Sequence, residues 1–146
     1  MTRPLPKARE DFVIFQTITT RWFDNDVYGH MNNAVHYQLF DTAVNGHLIS
    51  TGVLDLKSSP TVFLVVQSSC DYFHEMAFPD LITVGLCVTH LGRSSVVYNI
   101  GLFRNNANKA AAQGHFIHVN VERDSRQAVP IEDDVRKILT DMRLRP

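Results

Sequence analysis

Residues 21–52 read RWFDNDVYGHMNNAVHYQLFDTAVNGHLISTG. In the second half of this stretch Tyr37, Phe40, Val44 and Leu48 recur at intervals of 3 and 4. That spacing places apolar side chains along one face of a helix, and it predicts a helix over about 33–51. Asn32 or Asn33 offers an N-cap oxygen for the first free backbone N–H groups, and Gly52 offers a stop. Gly46, inside the pattern, lowers helix propensity by about 1 kcal/mol, a loss that close packing against a sheet would explain. Ahead of the helix stand two acids, Asp24 and Asp26, then Gly29 and His30. A loop carrying a carboxylate and an imidazole therefore runs into a helix N-terminus. Free N–H groups and a partial positive charge there can polarise a carbonyl or hold an oxyanion.

Outward from this stretch the chain is mostly strand-like. Residues 12–20 are rich in β-branched and aromatic side chains and read as a strand that delivers the chain into the acidic loop. Residues 61–74, 81–91, 95–104 and 109–122 read as four more strands, divided by a bend at Pro79, a tight turn at 92–94 and an Asn-rich turn at 105–108. Pro130 suits the first position of a short helix. Glu132, Asp133 and Asp134 suit its positive end, and Arg136 and Lys137 its negative end. Ile131, Val135, Ile138 and Leu139 make its apolar stripe. Residues 1–11, with Pro4, Pro6 and mixed charge, read as a mobile lead-in. Strand, long helix, four strands and short helix form an α+β order: an antiparallel sheet whose apolar face one helix must cover.

A chain of 146 residues fits one domain spanning 1–146. A net charge of −1 argues against a nucleic-acid binder, which normally carries a basic field. Cys70 and Cys87 make neither a disulfide framework nor a zinc pattern, and their strand-like surroundings predict burial. His115 and His118, three apart on a strand, face opposite sides and do not suit a shared metal. No apolar run has the length of a signal peptide or a membrane span, so a cytoplasmic location is expected.

Asp26 is the residue type and position best suited to chemistry. A carboxylate beside a carbonyl carbon can activate water as a general base or attack directly. Its structural alternative is an Asx turn ahead of the helix. Asp24, nearer the strand end, reads as a turn or structural hydrogen bond. His30 is placed to orient Asp26, hold water or bond the substrate. Gly29 permits a tight turn. Trp22, Tyr28 and Tyr37 can line a pocket or pack the core.

The order Asp-x-Asp-x-x-Gly-His-x-Asn-Asn at 24–33 resembles the signature of hotdog-fold acyl-CoA thioesterases of the 4-hydroxybenzoyl-CoA thioesterase type. The resemblance implies a curved antiparallel sheet of about five strands wrapped round one central helix. It implies hydrolysis of an acyl-CoA to a free acid and coenzyme A, with Asp26 and His30 as catalytic residues and no metal or organic cofactor. Tyr28, Gly29, Asn32, Asn33 and Tyr37 are the implied substrate contacts at the helix mouth. Gly92-Arg93-Ser94-Ser95 resembles the family's turn before a central strand, making Arg93, Ser94 and Ser95 candidates for coenzyme A phosphates. Lys57, Arg104 and Lys109 are further cations. Asp71-Tyr72 through Asp80 resembles a weaker family feature, with Pro79 where Gly is common. His36 stands where many relatives have Tyr. Such relatives form homodimers or dimers of dimers, with active sites at the interface, and an open edge strand gives a physical reason for that pairing. Two other readings stay open: a hotdog hydratase or dehydratase, and a non-catalytic acyl-CoA or acyl-carrier binding module.

Overall fold

The computed structural model describes residues 3–144. Five strands form one sheet: β1 (Ile14–Thr19), β2 (Thr61–Tyr72), β3 (Leu81–Leu91), β4 (Ser95–Arg104) and β5 (Ala112–Glu122). The spatial order is β1-β3-β4-β5-β2 and every neighbour is antiparallel. Helix α1 (Asn33–Ser50) covers one face, and α2 (Asp133–Thr140) packs beside it. This is the hotdog arrangement that the family resemblance implies.

The bounds of β3 and β4 coincide with the sequence reading. β2 stops at Tyr72 because the Phe73 and His74 amides both turn onto the Ala111 carbonyl. β5 starts only at Ala112, because the Ala110 and Ala111 amides bond Lys7 and Leu102 instead of β2.

Phe40, Val44 and Leu48 of α1 are buried against the sheet, as their spacing predicts. Tyr37 is only half-buried at the rim. His36, Leu39 and Ala43 complete the buried face. The Phe40 ring meets Phe116 of β5 edge-on at 5.6 Å. Burial contributes roughly 1.5–3 kcal/mol for each large side chain, which outweighs the propensity lost at Gly46. The bare Cα of Gly46 leaves room for Gln16 of β1, whose Oε1 lies 3.1 Å from where a Cβ would stand.

Two expectations need correction. Pro130 does not open α2; Glu132 is the N-cap. Residues 129–131 are held extended against the sheet end, because the Asn120 side chain donates to the Val129 and Pro130 carbonyls and the Ile131 amide donates to Arg93. The lead-in is not loose over residues 3–11. The Lys7 amide donates to Gln113 Oε1 at 2.8 Å, Gln113 Nε2 donates to Leu5, and the Arg9 guanidinium reaches the Asn105 and Ala107 carbonyls. Met1 and Thr2, which the expectation also covered, lie outside the described residues.

This N-terminal docking builds a second, smaller core on the face away from α1, from Phe12, Cys87, Phe103 and Ala110. The Phe12 ring lies over Gly85 and Gly101, two positions where a side chain has no room. A Cβ on Gly85 would stand 2.8 Å from Phe12 Cγ and 2.9 Å from Phe12 Cβ. Since Phe12 Cβ is tied to the backbone, it cannot swing away. Gly85→Ala is expected to lower stability by about 1–3 kcal/mol, read as a drop in unfolding midpoint with unchanged m-value.

Candidate active site

β1 ends at Thr19, and the chain makes one 3-10 turn at Trp22–Asp24. Asp24 is buried and fully engaged. Its Oδ2 accepts from the Arg21 amide at 2.8 Å, its Oδ1 pairs with the Arg21 guanidinium at 2.9 Å, and its carbonyl accepts from the Asn32 amide. Its work is to fix the loop entrance.

Residues 26–30 then close a small loop. The Asp26 amide donates to the His30 carbonyl at 2.8 Å, and the Gly29 amide donates back to Asp26. Gly29 sits at φ +86°, the left-handed region that glycine enters without a Cβ penalty. Asp26 Oδ1 accepts from the Tyr28 amide at 2.8 Å, so the Asx turn is real. It uses one carboxylate oxygen. The other, Oδ2, faces His30 Nδ1 at 3.6 Å. His30 Nδ1 also lies 3.3 Å from the Met31 carbonyl. Both neighbours are oxygens that accept, so Nδ1 carries the proton. His30 Nε2 points towards Glu75 Oε1 at 3.9 Å, and Tyr28 stacks on the ring.

Helix α1 begins beside this loop. Asn32 caps it, its side-chain oxygen accepting from the Ala34 amide at 2.9 Å. The amides of Met31, Asn32, Ala34 and Val35 are all taken by protein oxygens. The Asn33 amide has no partner among the described residues.

Across from the loop lies the end of β2 and the segment after it. Between them is a cleft of about 560 Å³. Asp26, Tyr28, His30, Met31, Asn33 and His36 line one side, and Tyr72, Phe73, His74, Glu75 and Met76 line the other. The two walls are tied together. The Met31 amide donates to Met76, the Phe78 amide to Asn25 Oδ1, and the Tyr72 hydroxyl to the Asn33 carbonyl at 2.9 Å. The Tyr72 ring meets His36 edge-on at 4.7 Å. Burial lowers the His36 pKa below its ordinary value, partly offset by the Asn32 and Asn33 carbonyls near Nδ1 and reinforced by His30 nearby. Burial pushes the Cys70 thiol up to about 11, so the sulfur nearest Tyr72 is not a thiolate nucleophile at neutral pH. Tyr72→Phe removes one bond between the walls. It is expected to lower stability by about 0.5–1.5 kcal/mol, measured by urea unfolding.

Of the residues singled out from sequence, Asp26, Tyr28, His30 and Asn33 share this cleft. Gly29 shapes the loop beneath it. Asn32 turns to the outer flank, towards Arg21 and Phe23. Tyr37 packs against Phe40 rather than lining the cleft. Arg93, Ser94 and Ser95 lie at the far end of the sheet, an eleven-residue strand away, which is roughly 30 Å or more at 3.3 Å per residue. Arg104 is paired with Asp80 at 2.8 Å, while Lys57 and Lys109 are exposed in loops outside the cleft. The sequence reading noted His36 as a departure from relatives and Asp71-Tyr72 through Asp80 as a weaker family feature, but placed neither His36 nor residues 72–76 at the site. The one signal for that wall was the acid-aromatic pair Asp71-Tyr72.

Fold and cleft together define a hotdog protein with a carboxylate–imidazole pair at the mouth of its long helix. Residues 20–139 match the thioesterase-like superfamily, and the chain belongs to that family. Its general reaction class is thioester hydrolysis. The PA5185 protein of Pseudomonas aeruginosa strain PAO1 has a similar structure, with 48% sequence identity, a TM-score of 0.92 and coverage of 94% of this chain and 96% of that one. The PA2801 protein of the same species, named as a candidate thioesterase, is 28% identical, with a TM-score of 0.79 over 86% of this chain and 96% of its own. Slr0204 of Synechocystis, a 1,4-dihydroxy-2-naphthoyl-CoA thioesterase, shares the fold at 17% identity, with a TM-score of 0.78 over 88% of this chain and 98% of its own. Among the described residues no helix is long and apolar enough to cross a membrane.

Proposed function

We propose that this protein is an acyl-CoA thioesterase whose hydrolytic group is Asp26. The observation that carries the reading is the pairing of a half-satisfied carboxylate with a free amide. Asp26 Oδ2 is left over from its turn, and Asp26 and Asn33, whose N–H opens the helix, both line the cleft. In the general-base form Asp26 takes a proton from water, and the hydroxide adds to the thioester carbonyl carbon. The oxyanion is held by the Asn33 amide and the positive end of α1. Collapse breaks the C–S bond, releasing the acid and coenzyme A, whose sulfur takes up the proton. In the nucleophilic form Oδ2 adds to the same carbon, coenzyme A leaves, and water then opens the anhydride. In either form His30 orients the carboxylate through its Nδ1–H.

A homodimer belongs to the proposal. Strand β2 is an open edge, with Leu64, Val65 and Val66 exposed beside a bulge, the kind of edge that invites pairing. A second copy is the route by which Arg93, Ser94 and Ser95 would reach a coenzyme A phosphate. Thiol release across a panel of acyl-CoAs tests the activity. Turnover at an enoyl double bond without thiol release would mean a hydratase instead, and tight binding with neither would mean a binding module.

A further inference from the structure

The segment ahead of β1 touches the cleft. It precedes residues 20–139, the span that the superfamily shares, so the common domain does not dictate where it goes. Here it docks on the sheet with its leading residue at one wall of the site. The Arg3 guanidinium donates to the Tyr72 carbonyl and lies 5.1 Å over the Phe73 ring. Tyr72 and Phe73 both line the cleft. The segment supports the same wall by a second route. The Ala110 amide donates to the Lys7 carbonyl at 2.9 Å, and Ala8 bridges Lys109. The next residue, Ala111, offers its carbonyl to the Phe73 amide at 2.8 Å and to the His74 amide at 3.0 Å. The backbone of residues 72–74, where β2 stops, is therefore fixed by Arg3 on one count and by Ala111 on the other.

From this wall one hydrogen bond leads to the chemistry. The Tyr72 hydroxyl donates to the Asn33 carbonyl at 2.9 Å. Asn33 is the first residue of α1, and its amide is the donor assigned above to the oxyanion. A shift of residues 72–73 therefore pulls on the residue that carries that donor. Small displacements matter at such a point: a misplacement of about 1 Å costs on the order of 10² in rate. Arg3 itself touches none of the groups assigned to the reaction, so any effect it has on turnover runs through Tyr72 and Phe73.

We propose that Arg3 is a positioning residue: it holds the Tyr72–Phe73 wall against the mouth of α1 and so sets the place of the Asn33 amide. The inference rests on the thioesterase reading and deepens it. The oxyanion donor is used only once the tetrahedral centre forms, so a displaced donor lowers kcat and leaves KM nearly unchanged. A contact that merely stabilised the fold would leave the turnover of each folded molecule as it is. Arg3→Lys keeps a cation for the Phe73 ring and a donor for the Tyr72 carbonyl, on a more flexible stem, and is the variant that should restore the effect in part.

The test uses Arg3→Ala and Arg3→Lys in the full chain, with one readout that needs no substrate. In amide proton–nitrogen NMR spectra the Asn33 resonance should move in Arg3→Ala and move back towards its wild-type place in Arg3→Lys. The Ser94 resonance, at the far end of the sheet, should stay where it is in both. The second readout is thiol release from butyryl-CoA and benzoyl-CoA, each beside its N-acetylcysteamine thioester, which keeps the reacting group and lacks the phosphates. Arg3→Ala should lower kcat about fivefold or more, with KM within about twofold, by the same factor for both kinds of thioester. Arg3→Lys should recover part of that loss. An Asn33 resonance that stays put in Arg3→Ala overturns the proposal whatever the kinetics. A loss confined to the coenzyme A thioesters also overturns it, because Arg3 would then be a phosphate contact. Absence of thiol release in the wild type overturns the thioesterase reading instead, and the Asn33 resonance then decides the positioning role by itself.

Discussion

Asp26→Asn is expected to reduce thiol release from acyl-CoA by at least about 10²-fold, the lower end for removal of a general base. The substitution isolates the chemistry from the fold. An asparagine Oδ1 still accepts from the Tyr28 amide, so the Asx turn that shapes residues 26–30 survives. What is lost is the basic and nucleophilic character of Oδ2 and its attraction for His30 Nδ1 at 3.6 Å. Far-UV circular dichroism and the unfolding midpoint should stay near wild type. Asp24→Asn provides the contrast. Asp24 is 3% exposed and bonded to Arg21 through both oxygens, so its change should show in stability. A variant at position 26 that keeps full activity would remove the carboxylate from the mechanism. The cleft would then have to work through His30 or His36.

How much of this was readable from the chain depends on distance along it. The wall made by residues 26–33 is contiguous, and its chemistry is visible as a string of polar residues between apolar runs. The facing wall, 72–76, lies some forty residues further on. It reaches the cleft through the Tyr72 hydroxyl on the Asn33 carbonyl and the Met31 amide on the Met76 carbonyl, pairings that no local period encodes. His36, noted only as a departure from relatives, was left out of the site for a different reason. The apolar stripe was counted from Tyr37, and the helix turns slightly further, so that 36, 39, 40, 43, 44 and 48 face inwards. A buried histidine breaks a hydrophobic pattern without changing its phase. The docked N-terminal segment fails in the same way, because Phe12 and Lys7 find their partners at Gly85, Gly101 and Gln113, far along the chain. The strand bounds of β3 and β4 were legible because turn residues flank them on both sides. Pro130 was misleading because its propensity for a first helical position competes with the Asn120 bonds that keep it extended.

The second large effect concerns His118, on β5 and away from the cleft. Its ring is 1% exposed, stacked on Phe63 at 5.9 Å and meeting Tyr98 edge-on at 5.3 Å. Its Nδ1 has no hydrogen-bond partner among the described residues. Burial alone lowers its pKa to about 4 from 6.5. In the unfolded chain the same imidazole titrates near its ordinary value. Above pH 6.5 both states are neutral there, and the group has no effect on stability. As pH falls from 6.5 towards 4, the unfolded state takes a proton that the folded state refuses, and stability drops with a slope approaching 1.4 kcal/mol per pH unit. Between pH 7.5 and 4.5 the loss from this one residue is about 2.5 kcal/mol, a large share of a typical domain stability of about 5–15 kcal/mol. His36 and His47, also lowered by burial, act in the same direction. His118→Leu removes the titration while keeping a side chain of similar size. Urea unfolding at the two pH values should therefore show a smaller difference for the variant than for wild type, by about 2 kcal/mol or more. Equal pH differences for the two proteins would mean that the imidazole finds a proton-accepting partner in the folded state, and would disprove the buried neutral ring.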